Sequence, residues 1–309
     1  MRKIAAIDIG TNSVLYSLFE VTGKAALREI YFERQSPRIG NRLAGQRRPL
    51  ISPASYENLK TILSRNIGHA LNGGAQDIVI AATNPLRLAR NGLQVKKRLQ
   101  ADLGYEVAIL TSDREAYLSF LGAVGRLGKN KTAVLIDLGG GSTELVAYRG
   151  SRRLAFVSLP EGAVSLTEKF DSSLKVDTQD FPKFERMLSV YDGQAAVIKP
   201  YLEAGVTLVG GTSTALAYLK DKDIIGKRRG ITLTRRELDR DIYLLAGLGL
   251  DCRRQLLAVD KKRAEIIFAG AFWLHYLFKV LDIGAARATP WGLRHGMALD
   301  FLERGQFAA

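Results

Sequence analysis

The sequence predicts an α/β protein built from two similar halves that face each other across a cleft. Three observations predict it. Segments with strand and helix character alternate in a mixed order, hairpins first and crossovers after. One hairpin motif occurs twice: IDIGTNSVLYSL (7–18) aligns without gaps on IDLGGGSTELVA (136–147). The length of 309 residues suits two domains.

KIAAIDIG (3–10), SVLYSLFEV (13–21) and LREIYFERQ (27–35) read as three successive strands, the first pair joined by a Gly-Thr-Asn turn. SPASYENLKTILSRNIGHAL (52–71) places a serine before a helical apolar period and reads as a capped helix. QDIVIAAT (76–83) is a short strand, and NPLRLARNGLQVKKRLQADLG (84–104) reads as one helix ending near Gly104. EVAIL (106–110) is a strand, and TSDREAYLSFLGAVGRL (111–127) a helix started by Thr or Ser. The second hairpin follows. VTLVGGTSTALAYL (206–219) is strand, glycine turn and helix; 234–250 and 261–281 read as amphipathic helices.

In the repeat, Ile7, Asp8, Gly10 and Ser13 match Ile136, Asp137, Gly139 and Ser142. Glycines at such turns can take positive φ and leave backbone N–H groups unscreened. A ring of N–H groups with Ser and Thr hydroxyls forms an anion site. The first copy offers Thr11, Asn12 and Ser13; the second offers Gly139, Gly140, Gly141, Ser142 and Thr143. A third glycine turn, Gly210, Gly211, Thr212 and Ser213, opens a helix, where phosphates also settle. An aspartate at a strand end beside phosphate suits a divalent cation, since Mg²⁺ takes one or two carboxylates plus water and phosphate oxygens. Asp8, Asp137 and Glu144 are the candidates. A lone turn of this kind would read as a tight hairpin; the repeated aspartate favours a site.

Composition is ordinary for a packed soluble protein, 47% hydrophobic and 25% charged. No run has transmembrane length and the start is not a secretory signal, so a cytoplasmic protein is expected. The single Cys252 excludes an internal disulfide framework and reads as a packed or surface thiol. His69, His275 and His295 lack metal-ligand spacing and read as packing or surface residues. Net charge is +14, carried in clusters: Arg47-Arg48, Lys96-Lys97-Arg98, Arg152-Arg153, Lys227-Arg228-Arg229, Arg235-Arg236, Arg253-Arg254 and Lys261-Lys262-Arg263. Each alone reads as a solvated face; together they point to an extended polyanion, nucleic acid or a phosphate chain. The usual nucleic-acid signatures are missing, so nucleic acid is not the expected partner.

AAIDIGTNSV, IDLGGGSTEL and LVGGTSTALA resemble the phosphate and nucleotide segments of the actin–sugar kinase–Hsp70 superfamily. Within it the chain is similar to the exopolyphosphatase/guanosine pentaphosphate phosphatase family, short two-domain form. Further segments carry the likeness along most of the chain: AATNPLRLARN with Arg87 and Asn91, SDREAYLSFLGA with Glu115, LPEGAVSLTEKF, KRAEIIFAGA and PWGLRHGMALDF. The resemblance implies two ribonuclease H-like (actin-like ATPase) domains, residues 1–124 and 125–309. By the same resemblance the last helix, about 295–309, is expected to pack back on the first domain, and no C-terminal HD-like domain is expected. It implies phosphoanhydride hydrolysis: Glu115 as the general base, Asp137 and Glu144 with Asp8 holding Mg²⁺, the glycine turns and Arg87 binding terminal phosphates, and Arg38 adding a contact. Such chemistry needs mainly positioning and charge neutralisation.

Two positions depart from the family pattern: Arg114 stands where an acidic residue is usual, and Ser165 replaces an arginine. The leading expectation is an exopolyphosphatase, favoured by the dispersed positive charge. The alternatives are 5′-phosphate hydrolysis of guanosine pentaphosphate, an ATP-dependent kinase or actin-like ATPase, and a non-catalytic polyphosphate- or alarmone-binding regulator. A homodimer is compatible with the family.

Overall fold

A computed structural model describes residues 1–23, 26–35, 37, 50–173, 175–224 and 230–307. The chain divides into two compact units, Met1–Ala123 with Trp291–Ala309, and Val124–Pro290. The first runs β1 (Lys3–Ile9), β2 (Val14–Gly23), β3 (Ala26–Gln35), α1 (Pro53–Asn72), β4 (Asp77–Ala82), α2 (Asn84–Leu88), α3 (Gly92–Leu103), β5 (Val107–Ile109) and α4 (Ser112–Ala123). The second runs β6 (Thr132–Leu138), β7 (Thr143–Arg149), β8 (Arg152–Leu159), α5 (Ala163–Phe170), α6 (Phe181–Leu188), α7 (Asp192–Ala195), β9 (Val206–Val209), α8 (Gly211–Lys220), β10 (Ile231–Thr234), α9 (Arg235–Gly247), α10 (Leu250–Leu256), α11 (Ile267–Leu281) and β11 (Ala285–Ala288). The chain then returns to the first unit as α12 (Leu293–Arg304).

The two sheets share one plan. The first has the order β3-β2-β1-β4-β5, with β1–β2–β3 antiparallel and β1–β4–β5 parallel. The second has β8-β7-β6-β9-β11 in the same senses, with β10 added antiparallel at its edge. This is the ribonuclease H-like, actin-like ATPase domain, present twice. The repeated motif falls on β1–β2 and β6–β7, the corresponding hairpins.

The alternation of β1 explains its central place. Ala5, Ile7 and Ile9 join the core under α1 and α3, while Ile4 and Ala6 join the core under α4 and α12. Helix α1 starts at Ser52, whose hydroxyl accepts from the Ser55 amide at 3.1 Å, with Pro53 at the first helical position. Its Tyr56, Leu59, Leu63, Ile67 and Ala70 form the apolar stripe. Helices α4 and α12 touch backbone to backbone. A methyl on Gly296 would lie 1.8 Å from the Leu118 carbonyl oxygen, and one on Gly122 2.0 Å from that of Gly292.

The structure corrects several elements. The helix expected over 84–104 is two, α2 and α3, because Ala89 is extended and Asn91 turns its side chain to Ile51. A methyl on Gly92 would meet the Leu86 carbonyl at 1.9 Å, so only glycine fits this corner. The helix expected over 261–281 begins instead as a 3₁₀ segment, Ala258–Glu265, and α11 is buried on nearly every side rather than amphipathic. It is the central helix of the second core, with Phe268, Phe272 and Trp273 enclosed. A third strand, β8, completes the second hairpin, as β3 completes the first. Among the described residues no helix is long and apolar enough to cross a membrane.

Candidate active site

In the first unit β1 ends at Ile9 and the turn Gly10–Ser13 leads into β2. The Gly10 amide closes it by donating to the Ser13 carbonyl at 2.9 Å. The Thr83 amide and hydroxyl donate to the Ile9 carbonyl at 3.1 and 3.3 Å, tying the head of α2 to the same strand end. Thr11, Asn12 and Ser13 are all buried, and Asn12 Nδ2 donates to Ser13 Oγ at 3.4 Å. The amides of Thr11 and Asn12 make no turn or loop backbone bond among the described residues. These N–H groups are not spent on the fold. Asp8, also buried, sits one residue before the strand end, opposite Leu15.

In the second unit Gly139 donates to the Ser142 carbonyl at 3.0 Å, the same closure. The amides of Gly140 and Gly141 likewise make no turn or loop backbone bond among the described residues. The start of α5 is laid directly on this turn. Ala163 N donates to Gly139 O at 3.0 Å and Val164 N to Gly140 O at 2.7 Å, and Gly162 packs so tightly that a methyl there would lie 2.5 Å from the Gly140 carbonyl carbon. Ser142 is buried beside the turn. The Thr143 hydroxyl is fully buried and engaged inside, donating to Glu161 O at 2.7 Å and accepting from Trp273 Nε1 at 2.9 Å. Ser165 is engaged inside as well: its hydroxyl accepts from the Gly162 amide at 2.8 Å and donates to Glu161. The serine that departs from the family pattern therefore caps α5.

Asp137 and Glu144 are direct cross-strand partners on β6 and β7. Opposed residues of an antiparallel pair project from one face, and like charges so placed repel. Glu144 is 1% exposed and accepts from Ser158 Oγ at 2.9 Å. Two hard carboxylates sharing one face next to a phosphate-type turn fit a divalent cation, which would relieve their repulsion. Among the described residues no group of three or more His, Cys, Asp or Glu forms a closed metal cage. A pair of carboxylates is the donor set Mg²⁺ uses when phosphate and water complete its shell.

Arg87 and Glu115 meet in the first unit. Arg87 Nη1 donates to Glu115 Oε2 at 2.7 Å and to the Leu110 carbonyl at 2.8 Å. Both side chains are largely buried. Glu115 lies in the first turn of α4, after Thr111, whose hydroxyl accepts from the Arg114 amide at 3.2 Å. Asn91 is not drawn into this pair; it pins Ile51 through both amide atoms. Arg38, Arg47-Arg48 and Lys227-Arg228-Arg229 lie outside the described residues.

The third turn is packed differently. Of the three candidate turns this one alone has a glycine at positive φ, Gly210 at +96°; Gly10 and Gly139 serve by allowing close approach instead. Ser213 Oγ donates back to Val209 O at 3.2 Å, and Thr212 is enclosed against Gly270 with its hydroxyl unpartnered among the described residues. Over Gly211 lies the Arg263 guanidinium, held by Asp260 at 3.0 Å; a methyl on Gly211 would be 1.9 Å from Arg263 Nη2.

Arg263 and Arg253 correct the reading of every basic cluster as a solvated face, since both are buried. Arg253 donates to the carbonyls of Leu245 and Ser172 at 2.9 and 3.1 Å, capping the carbonyl end of α9 and the chain after α5. Burial lowers its pKa. Arg294 was also missed, although its segment stood out in the sequence. It is enclosed, donates to Ser17 Oγ at 2.6 Å and lies 3.6 Å from Glu29. Burial lowers its pKa, against the fields of Glu29 and Asp8. His295 is buried and stacked on Trp291, a packing residue; Cys252 is exposed.

Known proteins agree with this architecture. A model of the Ppx/GppA phosphatase family matches residues 20–305. Exopolyphosphatase 2 of Mycobacterium tuberculosis is 29% identical over 296 residues, spanning 91% of each chain. Exopolyphosphatase 1 of the same organism is 27% identical over 76% of this chain and 70% of its own. A solved structure of an exopolyphosphatase from Cytophaga hutchinsonii superposes with a TM-score of 0.85 over the full length of both chains, at 16% identity. With the family matched along nearly its whole length, the chain belongs to the Ppx/GppA phosphatase family and is a phosphoanhydride hydrolase.

Proposed function

We propose that the protein is an Mg²⁺-dependent exopolyphosphatase that releases terminal phosphate from inorganic polyphosphate. The observation that carries this reading is the Arg87–Glu115 pair: a guanidinium suited to phosphate oxygens holds a carboxylate suited to act as base. Glu115 Oε takes a proton from water as its oxygen bonds to the terminal phosphorus. The bond from that phosphorus to the bridging oxygen breaks, and the shortened chain leaves. In the first unit Arg87, the Thr11 and Asn12 amides and the Ser13 hydroxyl are the groups suited to phosphate oxygens; in the second unit they are the Gly140 and Gly141 amides and the Ser142 hydroxyl. Asp137 and Glu144 would hold Mg²⁺, which when bound neutralises phosphate charge. Asp8 is proposed as a carboxylate toward the same kind of ion, and Arg263 as the cation of the third turn.

Polyphosphate is preferred over guanosine pentaphosphate because positive charge is spread over many sites, which suits a long polyanion. The names of the two mycobacterial relatives support the same choice. The test is phosphate release with Mg²⁺ from polyphosphates of several lengths and from guanosine pentaphosphate. A higher kcat/KM is expected on long polyphosphate; a far higher value on pentaphosphate would overturn the preference. Glu115→Ala should lower kcat about 1,000-fold or more while polyphosphate still binds.

A further inference from the structure

Glu115 is preceded by Arg114, and the two side chains are used in opposite senses. About 100° apart on the helix, Glu115 turns to Arg87 and Arg114 turns to α12. There Arg114 Nη2 bonds Asp300 Oδ2, and its guanidinium lies over the Tyr117 ring at 5.4 Å. Asp300 is almost fully enclosed, and its other oxygen accepts from Arg304 Nε at 2.9 Å. A buried carboxylate with two guanidinium partners has one well-defined place. The backbone contacts of Gly122 with Gly292 and of Gly296 with Leu118 leave α4 and α12 little freedom to slide. An acidic residue at position 114 would instead face the buried Asp300, so the arginine and the aspartate belong together.

We infer that Arg114 and Asp300 are a positioning pair, through which α12 fixes the first turn of α4 and with it the Glu115 carboxylate. The first turn of α4 is thus held from two sides, by Arg87 on Glu115 and by Asp300 on Arg114. The inference rests on the proposed role of Glu115 as base. A displacement of about 1 Å at a reacting group costs on the order of 100-fold in rate, so a loosened first turn lowers turnover more than binding.

The experiment measures kcat and KM on polyphosphate for Arg114→Ala, Arg114→Lys, Asp300→Ala and the Arg114→Ala/Asp300→Ala double variant, beside Glu115→Ala. Arg114→Ala is expected to lower kcat about 10- to 100-fold with KM changed less than about three-fold. Arg114→Lys is expected to recover most of that loss, and the double variant to be no slower than the worse single variant. Circular dichroism confirms that each variant is folded. Should Asp300→Ala not fold, the Arg114 variants decide alone, since Arg114 is partly exposed. Unchanged kcat in folded Arg114→Ala, a KM effect alone, or multiplicative losses in the double variant overturn the pair while Glu115→Ala remains inactive. Retained activity in Glu115→Ala overturns the base assignment and the inference with it.

Discussion

The turns at Gly10–Ser13 and Gly139–Ser142 are closed by the same amide-to-carbonyl bond, yet the structure behind each is different. The second turn is backed by main chain: the start of α5 donates into its carbonyls, and Gly162 lies in contact with Gly140. The first is backed by Thr83, and its unit is braced by buried charge, where Arg294 and His295 of α12 meet Glu29 of β3. The cross-strand partner of the aspartate differs too. Asp137 faces Glu144, whereas Asp8 faces Leu15. The two copies of the hairpin thus differ in charge: the second sets two carboxylates opposite each other, the first a single carboxylate opposite a leucine.

The sharpest way to break this comparison is Glu144→Leu, which gives the second hairpin the residue of the first. Mg²⁺-dependent phosphate release should fall about 1,000-fold, matching the several kcal/mol a catalytic cation supplies. Leu15→Met in the first hairpin should change it by less than about three-fold. Equal effects would mean that the two hairpins are not specialised. Next in size is the support of the turns. Gly162→Ala should cost about 3–5 kcal/mol in urea unfolding, because its methyl would sit 2.5 Å from main chain. Gly10→Ala, with its methyl 3.2 Å from the Ser13 carbonyl, should cost about 1 kcal/mol. A reversed order would remove the claim that the second turn is packed more tightly against main chain than the first.

A further expected effect is read in pH rather than in rate. Burial alone would raise the Glu29 carboxyl, but hydrogen bonding and charge from His295 and Arg294, with the Ser17 hydroxyl, bring it from 4.5 down to about 2. A depressed carboxylate stabilises the fold above its unfolded pKa and loses that contribution as pH falls toward the folded value. The shift corresponds to on the order of 3 kcal/mol. Thermal unfolding should therefore weaken between about pH 5 and pH 2, and Glu29→Gln should flatten that slope. A slope unchanged in Glu29→Gln would place the acid sensitivity elsewhere.

Much of the fold was legible because its signals are local. Short apolar runs bounded by turn residues mark β1, β2 and β4, the serine cap and apolar stripe mark α1, and the repeat announces two domains of one plan. The break between α2 and α3 was hidden, because a pattern of good helix formers conceals a corner that depends on Gly92 touching Leu86. The 3₁₀ start before α11 was hidden for a similar reason: Asp260 leaves helical geometry and supports Arg263 over Gly211. Within the candidate site, residue types were legible and directions were not. The sequence offered Thr143, Thr212 and Ser213 as equal hydroxyl donors to phosphate, and packing turned all three inward.

By itself the sequence determined the family, the two α/β domains, the repeated hairpins and the carboxylates within them. Those features depend on residue types at short spacing, which bond geometry and strand period translate directly into structure. Only the tertiary structure decided which partner each charge finds. Arg87 reaches Glu115 across 28 residues, Arg263 covers Gly211, and Arg114 waits for Asp300 some 186 residues later. Buried charges are stabilised by whatever the folded chain brings within a few ångströms, and that proximity is set by helix packing rather than by neighbours along the chain.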